Sequence, residues 1–154
     1  MFMFRCGIHL FLLVGAPPRR LGAAMMSTSK AFEFLHMDLF GPTQYTSIDG
    51  NKYGFVIVDD YTRYTWVFFL VDKSVFATFK SFVKAIHNEF ETTIKRVRSD
   101  NGSDFKNTRI NELCDEFGIR YQFSAKYTPQ SNSLVERKIE HSLIWQGLCL
   151  VSTM

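Results

Sequence analysis

A carboxylate set inside an apolar run constrains this chain more than any other feature. Residues Phe34-Leu-His-Met-Asp-Leu-Phe-Gly-Pro42 place Asp38 between Met37 and Leu39. Phe32, Phe34, Met37, Leu39 and Phe40 read as a strand, and Gly41-Pro42 stops it. Burying a carboxylate in a strand is costly unless something compensates it. A hydrogen-bond network, a basic partner or a metal ion would each do so, and a satisfied or edge-exposed aspartate needs no function at all. Two further acids raise the same question: Asp100, which ends another apolar-basic strand, and Glu136, which opens a helix.

The rest of the chain supplies strands and helices around that run. Tyr53 to Val58 and Tyr64 to Val71 are β-branched and aromatic, and Asp59-Asp60-Tyr61-Thr62-Arg63 turns between them. With the Asp38 strand they form an antiparallel meander. Ser74 is a candidate N-cap for a helix whose stripe is Val75, Phe79, Phe82, Val83, Ile86 and Phe90. Ile94 to Ser99 is a short strand that exits through Asp100-Asn101-Gly102. Asn107 to Phe117 is a second helix with Gly118 at its end. Ile119, Tyr121 and Phe123 alternate along a half-buried strand, and a last helix starts near Asn132. The order β-β-β-α-β-α-β-α predicts an α/β fold: a mixed five-stranded sheet, three antiparallel strands and then helix-linked strands, flanked by helices.

Composition narrows the class. A chain of 154 residues supports one domain, and 46% hydrophobic with 16% aromatic content excludes disorder. A net charge of +3 permits nucleic-acid binding without demanding it. Cys6, Cys114 and Cys149 form no CxxC pair, hence neither a disulfide framework nor a zinc site, and they point to a reducing, intracellular setting in nucleus or cytoplasm. Residues 1–28 read as a leader and linker, poorly ordered and packed little against a domain at 29–150 whose C-terminal helix is divergent or truncated. Arg5 followed by Ile8 to Val14 and Gly15-Ala16 also has a signal-peptide-like form, too short to span a bilayer. No membrane partner is expected.

Asp38, Asp100 and Glu136 are the candidate site. Three ionised carboxylates crowd together only with cations present. Mg2+ or Mn2+ suits carboxylate oxygen, and two such ions serve in-line phosphodiester chemistry. Plainer readings stand beside this one. Asp100 with Asn101-Gly102 fits turn chemistry, and Ser133-Leu-Val-Glu136 fits a capping box. His36 and His141 read as structural or exposed, and Asp59-Asp60 and Asp115-Glu116 as solvated charges. Lys95, Arg96, Arg98, Lys126, Arg137 and Lys138 are candidate phosphate contacts, or a solvated basic face.

Four blocks carry a resemblance: Leu35-His-Met-Asp-Leu-Phe-Gly-Pro42; Val56-Ile-Val-Asp-Asp-Tyr-Thr-Arg63 with Thr65-Trp66-Val67; Arg98-Ser-Asp-Asn-Gly102; and Tyr127-Thr-Pro-Gln130 with Val135-Glu-Arg-Lys138. In these the chain resembles the integrase catalytic core of copia-type long-terminal-repeat retrotransposons, the plant kind in particular. Asp100 and Glu136 have 35 residues between them, the family's D,D-35-E spacing. The resemblance implies a ribonuclease-H-like fold in which Asp38, Asp100 and Glu136 hold two divalent ions. It also implies 3′-end processing and strand transfer of element DNA into target DNA, and a possible homo-oligomer. Two places depart from the family pattern. Ser131-Asn132-Ser133 stands where Gln-Asn-Gly is usual, and Ile139-Glu140-His141 where Asn-Arg-Thr is usual. The function expected is therefore polynucleotidyl transfer, active or decayed. The alternatives are a non-catalytic nucleic-acid-binding or assembly module and a ribonuclease-H-like nuclease.

Overall fold

The strand that carries Asp38 is sealed on one side by its odd-numbered residues. Leu35 and Met37 are fully buried, and Leu39 packs beside them against the main core. This computed structural model describes residues 10–13, 28–42, 50–100 and 102–123. In order they form β1 (Leu10–Leu13), β2 (Phe34–Phe40), β3 (Tyr53–Asp59), β4 (Thr65–Leu70), α1 (Phe76–Phe90), β5 (Arg96–Ser99), α2 (Thr108–Phe117) and β6 (Arg120–Phe123). The sheet order is β1-β4-β3-β2-β5-β6. β2, β3 and β4 make the antiparallel meander, while β5 joins β2 and β6 joins β5 in parallel through helical crossovers.

The expected mixed five-strand sheet is present, and a sixth strand joins it. Within the leader stretch, the backbone of Leu10–Leu13 runs antiparallel along β4, from Leu10 opposite Phe68 to Leu13 opposite Thr65. Four short apolar residues suffice to pair an otherwise open edge. The helix expected from Asn132 lies outside the described residues.

One face of the sheet carries both helices. Met37, Phe55, Ile57, Trp66, Phe68 and Leu70 meet Phe79, Phe82, Val83 and Ile86 of α1, and Ile110, Leu113 and Cys114 of α2 complete the core. The spacing of three and four along α1 is what turns one stripe inward. Phe82 meets Trp66 and Phe68 edge-on, with ring centroids 5.2 and 6.0 Å apart. The other face holds a smaller cluster of Val56, Val58, Val67 and Phe69, with Phe40 beside it. Phe40 lies opposite Gly54, and its ring fills the space a Cβ there would need.

The helix ends follow local chemistry, with one correction. Asn107 caps α2 by accepting from the Arg109 N–H at 3.0 Å, and Gly118 closes it in the left-handed region at φ 67°. Ser74 does not cap α1. The N-cap is Val75 without a side-chain bond, because Ser74 is held in the preceding turn, where its N–H donates to Asp72 at 2.7 Å.

Candidate functional site

Parallel pairing of β2 with β5 sets the site. Phe34 lies opposite Arg96, Leu35 opposite Val97 and His36 opposite Arg98. Carried two residues on, this register brings Asp38 level with Asp100, just past the end of β5. Alternation decides the face. Leu35, Met37 and Val97 belong to the core under the helices. The even-numbered positions 34, 36, 38, 96, 98 and 100 therefore fall on the opposite face, at the carboxyl end of β5.

Both aspartates are half-buried. Asp38 Oδ1 accepts from the Leu39 N–H at 2.8 Å, and Asp100 Oδ1 accepts from the Gly102 N–H at 3.2 Å. Among the described residues Asp100 has no basic partner. Gly102 keeps the space beside it open, since a Cβ there would stand 3.0 Å from Oδ1 and 3.4 Å from Oδ2. Ser99, one residue earlier, is fully buried, and its hydroxyl meets the Tyr121 hydroxyl at 2.7 Å. That contact ties the end of β5 to β6. Burial raises the Tyr121 pKa to about 12, and its hydroxyl also donates to the Phe105 carbonyl at 3.4 Å.

Two neighbouring carboxylates offer the hard oxygen donors that Mg2+ or Mn2+ prefers. Their donor chemistry fits such an ion. Among the described residues no group of three His, Cys, Asp or Glu side chains gathers. Glu136 lies outside the described residues, as do Lys126, Arg137, Lys138 and His141.

The basic residues near the pair differ from one another. Lys95 reaches Glu33 at 3.2 Å. Glu33 is held down at about pKa 2, first by the Ser29 N–H and then by Lys95. Arg96 and Arg98 stand 4.9 and 5.0 Å from the centroid of the buried Phe34 ring. The Arg98 guanidinium also donates to Gln122 Oε1 at 3.4 Å.

Asp59 and Asp60 correct the expectation of solvated turn charges, since both are buried. Asp59 accepts from the Phe32 N–H at 3.0 Å, the Thr62 N–H at 2.9 Å and the Thr62 hydroxyl at 2.6 Å. Asp60 takes the Thr28 hydroxyl and His36 Nε2, each at 3.1 Å, with Arg63 3.8 Å away. The His36 hydrogen bond is the main reason the Asp60 carboxyl titrates below its ordinary range. His36 is thus structural and buried. Sequence reading missed this corner, although an Asp followed three residues later by Thr is a signal for side-chain-bonded turns. Asp115 and Glu116 are exposed on α2, as expected.

Comparison with known proteins agrees with this arrangement. The family model described as "Integrase core domain" matches residues 28–129, a span that contains Asp38 and Asp100 and ends before Glu136. A retrovirus-related Pol polyprotein from transposon RE2 of Arabidopsis thaliana is 37% identical over 128 residues, which is 82% of this chain. The corresponding polyprotein from transposon TNT 1-94 of Nicotiana tabacum is 36% identical over 106 residues, 68% of this chain. The chain spans 8% of the length of each. Among solved structures, a simian T-cell lymphotropic virus intasome in complex with PP2A regulatory subunit B56 gamma is similar with a TM-score of 0.59 and 18% identity. That match covers 81% of this chain and 42% of the other. The HTLV-2 integrase catalytic core domain in complex with magnesium is similar with a TM-score of 0.53 and 19% identity, covering 71% and 65%. At these identities the likeness is one of fold, the ribonuclease-H-like fold of integrase cores.

Proposed function

The chain belongs to the integrase core domain family, and from that premise we propose that it joins DNA strands by polynucleotidyl transfer at Asp38, Asp100 and Glu136. The observation that carries the proposal is the β2–β5 register, which brings two carboxylates level at a strand end. Asp38 and Asp100, with Glu136 from the following segment, would hold two Mg2+ or Mn2+ ions. When bound, such ions activate an attacking oxygen and stabilise a leaving one.

The protein's own residues supply placement. The parallel pair fixes the backbone beneath both carboxylates. Leu39 and Gly102 N–H groups orient one oxygen of each. Basic side chains beside β5 attract the phosphate backbone and raise its local concentration. DNA ends and target DNA are the substrates in this reading, and a homo-oligomer is the assembly that presents them.

Incubating the purified chain with short duplexes in Mg2+ or Mn2+, with a chelator control, tests it. Products longer than the input report joining, and shorter ones report hydrolysis. We expect metal-dependent joining at low yield, lost in Asp38→Asn, Asp100→Asn and Glu136→Gln. The yield is expected to be low because Ser133, three residues before Glu136 in sequence, replaces a glycine that would give the backbone more freedom. Metal-dependent shortening without joining would favour the nuclease. DNA binding with neither product would leave a non-catalytic binding module.

A further inference from the structure

We infer that Arg98 grips a backbone phosphate of the DNA strand that reaches Asp38 and Asp100, an inference that rests on the proposed function. The structure separates this residue from its basic neighbours. Lys95 is engaged by Glu33 and largely exposed. Arg96 stacks on Phe34 and makes other contacts as well. Arg98 is half-buried, lies against the Phe34 ring and is held at its edge by Gln122. Among the described residues it has no carboxylate partner.

Partial burial of a guanidinium without an anion is unfavourable unless an anion arrives. The group is also pre-set. Stacking and the Gln122 bond restrict its rotamers, so less freedom is lost when it binds. Its planar fork of donors matches two phosphate oxygens at once. Position gives the ligand. Arg98 precedes Asp100 by two residues on the same face, about 6.5 Å along the strand at the usual rise. Arg120, exposed on β6 and the register partner of Arg96, extends positive charge to the sheet edge. A strand entering over β6 would meet Arg120, then Arg96 and Arg98, then the carboxylates.

The test measures binding of the full chain to a short fluorescein-labelled duplex by anisotropy, with chelator present and salt varied. Arg98→Gln is expected to weaken binding about tenfold and to reduce the log–log salt slope by about one. Arg98→Lys keeps the charge, so it should keep the slope while binding several-fold more weakly. Lys95→Gln should change the slope less than Arg98→Gln. If Arg98→Gln does not melt cooperatively, Arg98→Lys decides: affinity equal to the parent chain overturns the inference. An equal slope in Arg98→Gln and the parent, or an equal loss in Lys95→Gln, overturns it while leaving DNA binding intact. A parent chain without salt-dependent DNA binding removes the proposed function and this inference together.

Discussion

Two pairs of aspartates, one at the β3–β4 corner and one across the parallel pair β2–β5, behave differently. Asp59 and Asp60, at the β3–β4 corner, are buried and surrounded by donors from Phe32, Thr62, Thr28 and His36. Asp38 and Asp100, at the β2–β5 end, are half-buried; each accepts from a nearby backbone N–H, and Asp38 makes a further contact as well. The first pair is built into the fold and holds the meander's corner together. The second lies on the sheet face opposite the two helices. A full set of donors to a buried carboxylate marks it as structural, and Asp59 and Asp60 meet that description.

The comparison breaks most visibly in stability. Asp59→Ala should lower unfolding free energy by about 3 kcal/mol, because it removes a fully buried acceptor from the part-buried N–H groups of Phe32 and Thr62 and from the Thr62 hydroxyl. Asp100→Asn should cost less than about 1 kcal/mol without metal. Urea unfolding measures both, and equal losses would erase the distinction between the two pairs.

Magnesium sharpens it next. Binding to the native state must raise the melting temperature. The rise should vanish in Asp38→Asn and Asp100→Asn and persist in Asp60→Asn. A rise that survives Asp100→Asn would place the ion elsewhere.

Acid titration gives a smaller effect. The folded Asp60 carboxyl titrates below its ordinary value of 3.8. Its contribution to stability is therefore complete above that value and is lost as pH falls through the lower folded one. Asp60→Asn should flatten this acid limb, and His36→Gln should flatten it in part, since the His36 bond is the leading cause. An unchanged limb in Asp60→Asn would assign the acid loss to other groups.

The smallest effect belongs to Glu33, whose depressed pKa of about 2 against 4.5 acts in the same direction between those values. Its partner Lys95 is largely exposed, so Glu33→Gln should shift the acid limb chiefly at low ionic strength. A shift that persists in high salt would mean that Glu33 is less accessible to solvent than its position indicates.

Sequence alone determined β2 to β6 with α1 and α2, and named the acids. Apolar, β-branched and aromatic runs bounded by turn residues gave β2, β3 and β4, the three-four stripe of Phe79, Phe82, Val83 and Ile86 gave α1, and Asn107 with Gly118 bounded α2. These signals are local, so they survive without a partner. The motif blocks named Asp38 and Asp100 because spacing along a chain is also local information. Tertiary structure decided the rest. The level of Asp38 with Asp100 depends on a parallel register between strands more than fifty residues apart, and no local pattern encodes a register. The same holds for Asp59 and Asp60, which look like turn charges until Phe32 and Thr28 arrive from before β2 to bury them. It holds for Arg98, whose restraint requires Phe34 from one neighbouring strand and Gln122 from the other. Pairing across the sheet sets what each charge faces, which spacing along one chain segment cannot.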